Sequence, residues 1–143
     1  MLTNDGVMLK PYVINKIVDY DGKTTYESKV ESLGQKMKSE TAQKLRSLMY
    51  SANYDGLMKV WQPKTVTMSM KTGTAQIPDP NGKGYLKGEY DQIYSVAGFF
   101  PSDKPKYIVY AAVKKIEATQ GTFARAVTKA VDEIASYANI TQN

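Results

Sequence analysis

Between Met8 and Glu27 the apolar and β-branched residues of "MLKPYVINKIVDYDGKTTYE" form two runs on either side of Asp21-Gly22. The turn between such runs needs positive φ, which Asp-Gly supplies, so the pattern predicts a hairpin whose first strand starts at Pro11. A polar stretch, "SKVESLGQKMK", leads to "SETAQKLRSLMYSA". There Ala42, Leu45, Leu48, Met49 and Ala52 fall on one helical face, and Ser39 is suited to cap the N-terminus. A helix is expected over residues 40 to 52. In the irregular "NYDGLMKVWQPK" that follows, Trp61 reads as a packing anchor.

Further on, "TVTMSMKTGTAQ" has the composition of a strand, and "IPDPNGKGYLKGEYDQ" is a Pro- and Gly-rich loop. A loop of that length in a compact domain borders a site or is mobile. The strongly apolar "IYSVAGFFP" and "YIVYAAVKKI", joined by "SDKPK", read as two strands of an antiparallel meander. In "TFARAVTKAVDEIASYA" the residues Phe123, Val127, Ala130, Val131, Ile134 and Tyr137 recur at helical spacing, giving a face that should lie on the sheet. The pattern is α+β, a mainly antiparallel sheet flanked by helices. At 143 residues it amounts to one domain or part of one.

Composition narrows the chemistry. Hydrophobic residues at 42% and charged residues at 23% give the balance of a folded globular chain. The net charge of +5 raises nucleic acid as a partner, but the lysines are scattered and only Arg46 and Arg125 offer a bidentate fork, so no nucleic-acid partner is expected. With no cysteine and no histidine, a Ser-His-Asp triad, a Cys-His pair and the usual zinc sites are ruled out within these residues. No metal and no cofactor is expected. The longest apolar run, Tyr107 to Val113, falls short of a membrane span, and "MLTNDGVMLK" does not read as a signal peptide. For an exported protein the address is expected outside these residues.

The remaining oddity is Lys71, a charge inside an apolar strand, where an unpaired ammonium is costly to bury. Alternation puts Thr67, Ser69, Lys71 and Gly73 on one face and Val66, Met68, Met70 and Thr72 on the other. Gly73 removes bulk on the lysine face, where another backbone can then approach. Lysine, small residues and hydroxyls together suit an edge that receives an extended anionic ligand. The ammonium would take a carboxylate and the strand N–H groups would hold a peptide by β-augmentation. The alternative is a lysine on a solvated edge that discourages aggregation.

"KTGTAQ" sits after "GVMLKPYVINKIVDYDGK" and "SETAQKLRSLM" and before "YSVAGFFPSDKPKYIVYAAV". In that order the chain resembles the C-terminal part of a class B penicillin-binding protein transpeptidase domain, a superfamily that carries a K-T-G element. The resemblance implies the C-terminal portion of a transpeptidase fold like that of serine β-lactamases, with a five-stranded antiparallel sheet. It further implies a D,D-transpeptidase that cross-links peptidoglycan stem peptides through a serine acyl-enzyme and is acylated by β-lactam antibiotics. By the same resemblance Lys71 would bind the substrate carboxylate with help from the Thr72 and Thr74 hydroxyls. Gly73 would keep the strand open, and the Thr74 N–H would form half of the oxyanion hole.

One departure matters. The family's nucleophile lies in S-x-x-K, where the lysine one helical turn on takes the serine's proton. No lysine of this chain has a serine three residues before it. The nucleophile is therefore expected in an upstream half of the same domain, and residues 1–143 form a partial domain, inactive alone. Ser51-Ala52-Asn53 matches the family's S-x-N in letters only, too close to Lys71, and is assigned no role. The resemblance also implies the extracytoplasmic face of a bacterial membrane, an anchor outside these residues, and cell-wall synthesis or division proteins as partners. The competing readings are a β-lactam-sensing receptor domain and a non-catalytic interaction fragment.

Overall fold

The Asp21-Gly22 turn forms, but it closes a shorter hairpin than the apolar pattern predicts. The computed structural model describes residues 1–140. In chain order the strands are β1 (Val7–Leu9), β2 (Lys16–Val18), β3 (Thr24–Glu27), β4 (Ser32–Gln35), β5 (Ser69–Gln76), β6 (Gln92–Phe100) and β7 (Tyr107–Lys114). Helix α1 (Ser39–Tyr54) precedes β5 and helix α2 (Gln120–Tyr137) follows β7. The chain divides into two compact units, Met1–Leu45 and Arg46–Asn143.

In the first unit β2 and β3 pair antiparallel around Gly22, whose φ of 78° is open to glycine without strain. The Asp19 carboxylate accepts from the N–H groups of Asp21 and Lys23 at 3.1 and 2.8 Å and so fixes the turn. The first half of the predicted run goes elsewhere. β1 pairs antiparallel with β4, which lies inside the stretch read as merely polar. All four β4 residues are exposed and Gly34 has φ 85°, so the strand carries none of the apolar alternation that would announce it. Pro11 falls between β1 and β2 and starts neither strand.

Helix α1 runs two residues further than expected at its C-terminal end, and its buried face is rotated from the apolar one. The Lys38 carbonyl accepts from the Ala42 N–H at 3.1 Å, which places Ser39 in the first turn and not at the cap. Ala42 and Asn53 are buried, whereas Leu48 is 65% exposed and Ala52 lies outward. A polar residue thus holds the position that the pattern gave to Ala52.

The second unit contains the core. Its sheet has the order β5-β6-β7, antiparallel throughout, so among the described residues β5 has a strand partner on one edge only. The resemblance implies five strands; three are present in this sheet among the described residues. The core gathers Val66, Met68 and Met70, then Val96 and Phe100, against Ala124, Val127, Val131 and Ala135 of α2. Trp61, at the end of the 3-10 turn Leu57–Trp61, packs on this core as expected, and its ring would meet a side chain placed at Gly121 at 2.8 Å.

Helix α2 faces the sheet through smaller residues than periodicity predicts. Ala124, Val127, Thr128, Val131 and Ala135 are buried, while Ile134 is 43% exposed and Tyr137 is 92% exposed. Small side chains let the helix axis approach the strands, and the bulky residues are pushed to its flanks. At its start the Thr119 hydroxyl accepts from the Thr122 N–H at 3.2 Å. Thr119→Ala should cost about 1 kcal/mol in a urea melt and Thr119→Asp should restore it. Equal midpoints for all three proteins would show the cap contributes nothing.

Strand β5 starts at Ser69, four residues later than the run "TVTMSMKTGTAQ" suggests. The residues before it have their N–H groups bound by side chains instead of a ladder. Asp132 of α2 accepts at 2.8 Å from the N–H of Lys64 and of Thr65, and at 2.7 Å from the Thr65 hydroxyl. The Tyr54 hydroxyl accepts from the Met68 N–H at 3.2 Å. Burial raises the Tyr54 pKa, and the Met68 bond opposes that rise. Between β5 and β6 the loop keeps one isolated bridge, Pro78 with Tyr85. Its far end is tied by Asp91, which bonds Lys115 at 2.8 Å and is held below its usual pKa chiefly by that ammonium.

Candidate functional site

Lys71, Thr72, Gly73 and Thr74 occupy the middle of β5, opposite Ala97, Val96, Ser95 and Tyr94 of β6. In an antiparallel ladder, alternate residues turn both backbone groups toward the neighbour or away from it. Met70 turns both away from β6, because they meet a side chain there. The Asn53 amide donates to the Met70 carbonyl at 3.0 Å and accepts from its N–H at 2.5 Å. By alternation, the backbone groups of Thr72 and Thr74 point to the same unpaired edge.

That edge is accessible. Lys71 and Thr74 are exposed, and Thr72 and Gly73 are half-buried. The Lys71 ammonium curls along the edge and donates to the Thr72 carbonyl at 2.7 Å. The lysine is therefore solvated at the rim and not buried as an orphan charge, which resolves the energetic objection to a charge in this strand. Its face is not uniformly polar and open, however. Ser69 is fully buried and its hydroxyl donates to that of Ser102 at 3.0 Å, sealing the lower end.

Gly73 has a specific neighbour. A Cβ there would meet the Ser95 hydroxyl oxygen at 2.6 Å, closer than real contacts allow. A side chain at this position would require the Ser95 hydroxyl to turn aside. Thr74 has the opposite orientation to Lys71, on the side of the sheet that α2 covers. Its hydroxyl donates to Gln120 Oε1 at 2.9 Å, and Gln120 Nε2 donates to the Ser95 carbonyl at 3.3 Å.

The motif's four residues are thus brought to one accessible edge, and two amides brace it. Within Ser51-Ala52-Asn53, Asn53 is 3% exposed and serves Met70, while Ser51 is exposed and takes no part in that clamp. Gln120 stands just ahead of the run that predicts α2 and gives no signal in the sequence, since its partners are 46 and 25 residues away. Among the described residues, no three His, Cys, Asp or Glu side chains cluster as a metal would require. Nor is any described helix long and apolar enough to cross a membrane.

The chain is 33% identical over 117 residues to penicillin-binding protein PbpB of Mycolicibacterium smegmatis, covering 76% of this chain and 17% of PbpB. It is 31% identical over 117 residues to stage V sporulation protein D of Bacillus subtilis, covering 81% of this chain and 18% of that protein. It therefore spans less than a fifth of the length of either. Penicillin-binding protein 2X of Streptococcus thermophilus superposes with a TM-score of 0.78 at 27% identity, over 94% of this chain and 21% of that one. Penicillin-binding protein 3 of Mycobacterium tuberculosis, solved with aztreonam, shares the fold at a TM-score of 0.80 and 21% identity, over 99% of this chain and 34% of that one. Residues 1–133 match the penicillin-binding protein transpeptidase domain, and the chain belongs to that family.

Proposed function

We propose that this chain is the C-terminal portion of a peptidoglycan D,D-transpeptidase domain, supplying the receiving edge of the active site and not its nucleophile. The observation that carries the reading is the accessible, one-sided edge at Lys71 to Thr74, within a chain that belongs to the penicillin-binding protein transpeptidase family. An extended stem peptide, or a β-lactam antibiotic in its place, adds to this edge. The Lys71 ammonium leaves the Thr72 carbonyl to pair with the ligand carboxylate, a charge-assisted bond that water-exposed neutral groups do not match. The Thr72 and Thr74 hydroxyls address the same ligand, and Gly73 admits its backbone.

The Thr74 N–H, turned to the unpaired edge, donates to the developing oxyanion as one of two donors. Such a donor contributes about 10²–10³ in rate. The serine that attacks, and the lysine that takes its proton, come from the upstream half of the domain. In this reading the whole protein works at the extracytoplasmic face of a bacterial membrane, beside other cell-wall synthesis or division proteins.

Fluorescent penicillin tests the division of labour. The chain of residues 1–143 should form no covalent adduct that survives denaturing electrophoresis, whereas the protein extended through the upstream half should label on serine. Labelling of any serine in the short chain would overturn the assignment of the nucleophile. Failure of the extended protein to label would overturn the transpeptidase reading itself.

A further inference from the structure

The Thr74 hydroxyl has one proton to give, and the fold determines where it goes. Gln120 Nε2 lies 3.3 Å from the Ser95 carbonyl, which can only accept, so the amide must turn its N–H₂ there. Gln120 Oε1 then faces Thr74 at 2.9 Å and, being an acceptor, takes the threonine proton. Thr74 is left with lone pairs to offer the edge and no donor. A carboxylate ligand needs the reverse, a hydroxyl that donates.

We propose that Gln120 is a specificity-determining residue that acts through Thr74, holding its hydroxyl as an acceptor and weakening the hold of the edge on anionic ligands. This rests on the reading of Lys71 to Thr74 as the substrate edge. To serve a carboxylate, Thr74 must withdraw its proton from Gln120 and leave Oε1 without that bond. The ligand's gain is reduced by the bond it displaces. Lys71 has no such rival, since the Thr72 carbonyl it leaves is on the open edge, where water or ligand replaces the ammonium. Anion recognition therefore rests mainly on Lys71 in this protein, with Thr74 restrained.

The test uses the full-length protein and the second-order rate of acylation by benzylpenicillin. Gln120→Ala frees the Thr74 proton and should raise the rate about twofold to tenfold, the span of one neutral hydrogen bond. Gln120→Glu accepts the proton more strongly and places a charge facing the ligand carboxylate, so the rate should fall. In a Thr74→Val background Gln120→Ala should have no effect, because the hydroxyl through which it acts is gone. A loss of packing at the start of α2 would lower the rate in both backgrounds. An unchanged or reduced rate in Gln120→Ala, or a gain that persists with Thr74→Val, would overturn the proposal. Loss of the substrate-edge reading would show separately, as a Lys71→Ala protein acylated at the normal rate.

Discussion

Lys71→Ala in the full-length protein should slow acylation by benzylpenicillin about tenfold to a hundredfold, the equivalent of about 1.5–3 kcal/mol for a hydrogen bond to a charged group. The side chain makes one bond in the free site, to the Thr72 carbonyl, and does so exposed to solvent. Its removal therefore leaves nothing buried without a partner, and the folded protein should melt within about 0.5 kcal/mol of the parent. Rate and stability separate for that reason. Lys71→Arg should recover part of the rate, because the charge returns while the planar fork does not reproduce the compact ammonium. Stopped-flow acylation and a thermal melt on the same preparations measure both. A rate unchanged by Lys71→Ala would return the residue to the role of a solvated edge lysine.

Asn53→Leu should have the reverse signature, a large loss of stability. The substitution keeps the branching of the side chain, with two bulkier methyl groups in place of the amide oxygen and nitrogen, and takes the side-chain partner from the Met70 N–H and carbonyl, both bonded to the buried Asn53 amide. Each buried backbone group left unpaired costs about 1–3 kcal/mol, so with two such groups the variant should lose about 2–6 kcal/mol in urea unfolding. Asn53→Asp keeps an acceptor for the N–H but sets a carboxylate oxygen against the Met70 carbonyl, and should also be destabilised. A change below about 0.5 kcal/mol for Asn53→Leu would mean that water replaces the amide at no cost, and that β5 does not rely on the clamp.

These two residues mark how far the sequence could be read. The place of Lys71 on an exposed strand edge was legible because local order carries it: a charge, a hydroxyl and a glycine in adjacent positions of an apolar strand. The meander and α2 were legible for the same reason, since their periodicity is written in neighbouring residues. Asn53 was not, because its partner is 17 residues away and the amide sits where an apolar residue was expected. The true start of β5 was hidden too. Alternation continues back to Thr65, but a strand ends where its neighbour's ladder ends, and the ladder to β6 begins at Ser69 opposite Phe99. β4 shows the converse, a pairing made by exposed residues with no pattern to announce it.

The Asp132 carboxylate has one more consequence, in the order of events during synthesis. The residues it holds, Lys64 and Thr65, leave the ribosome 68 and 67 positions before it. Until the chain has been made past the middle of α2, the approach to β5 has no anchor on that side. The approach to β5 thus takes its final setting late, only after α2 has emerged, and a nascent chain stalled before Asp132 should expose this region to proteases that the finished protein resists.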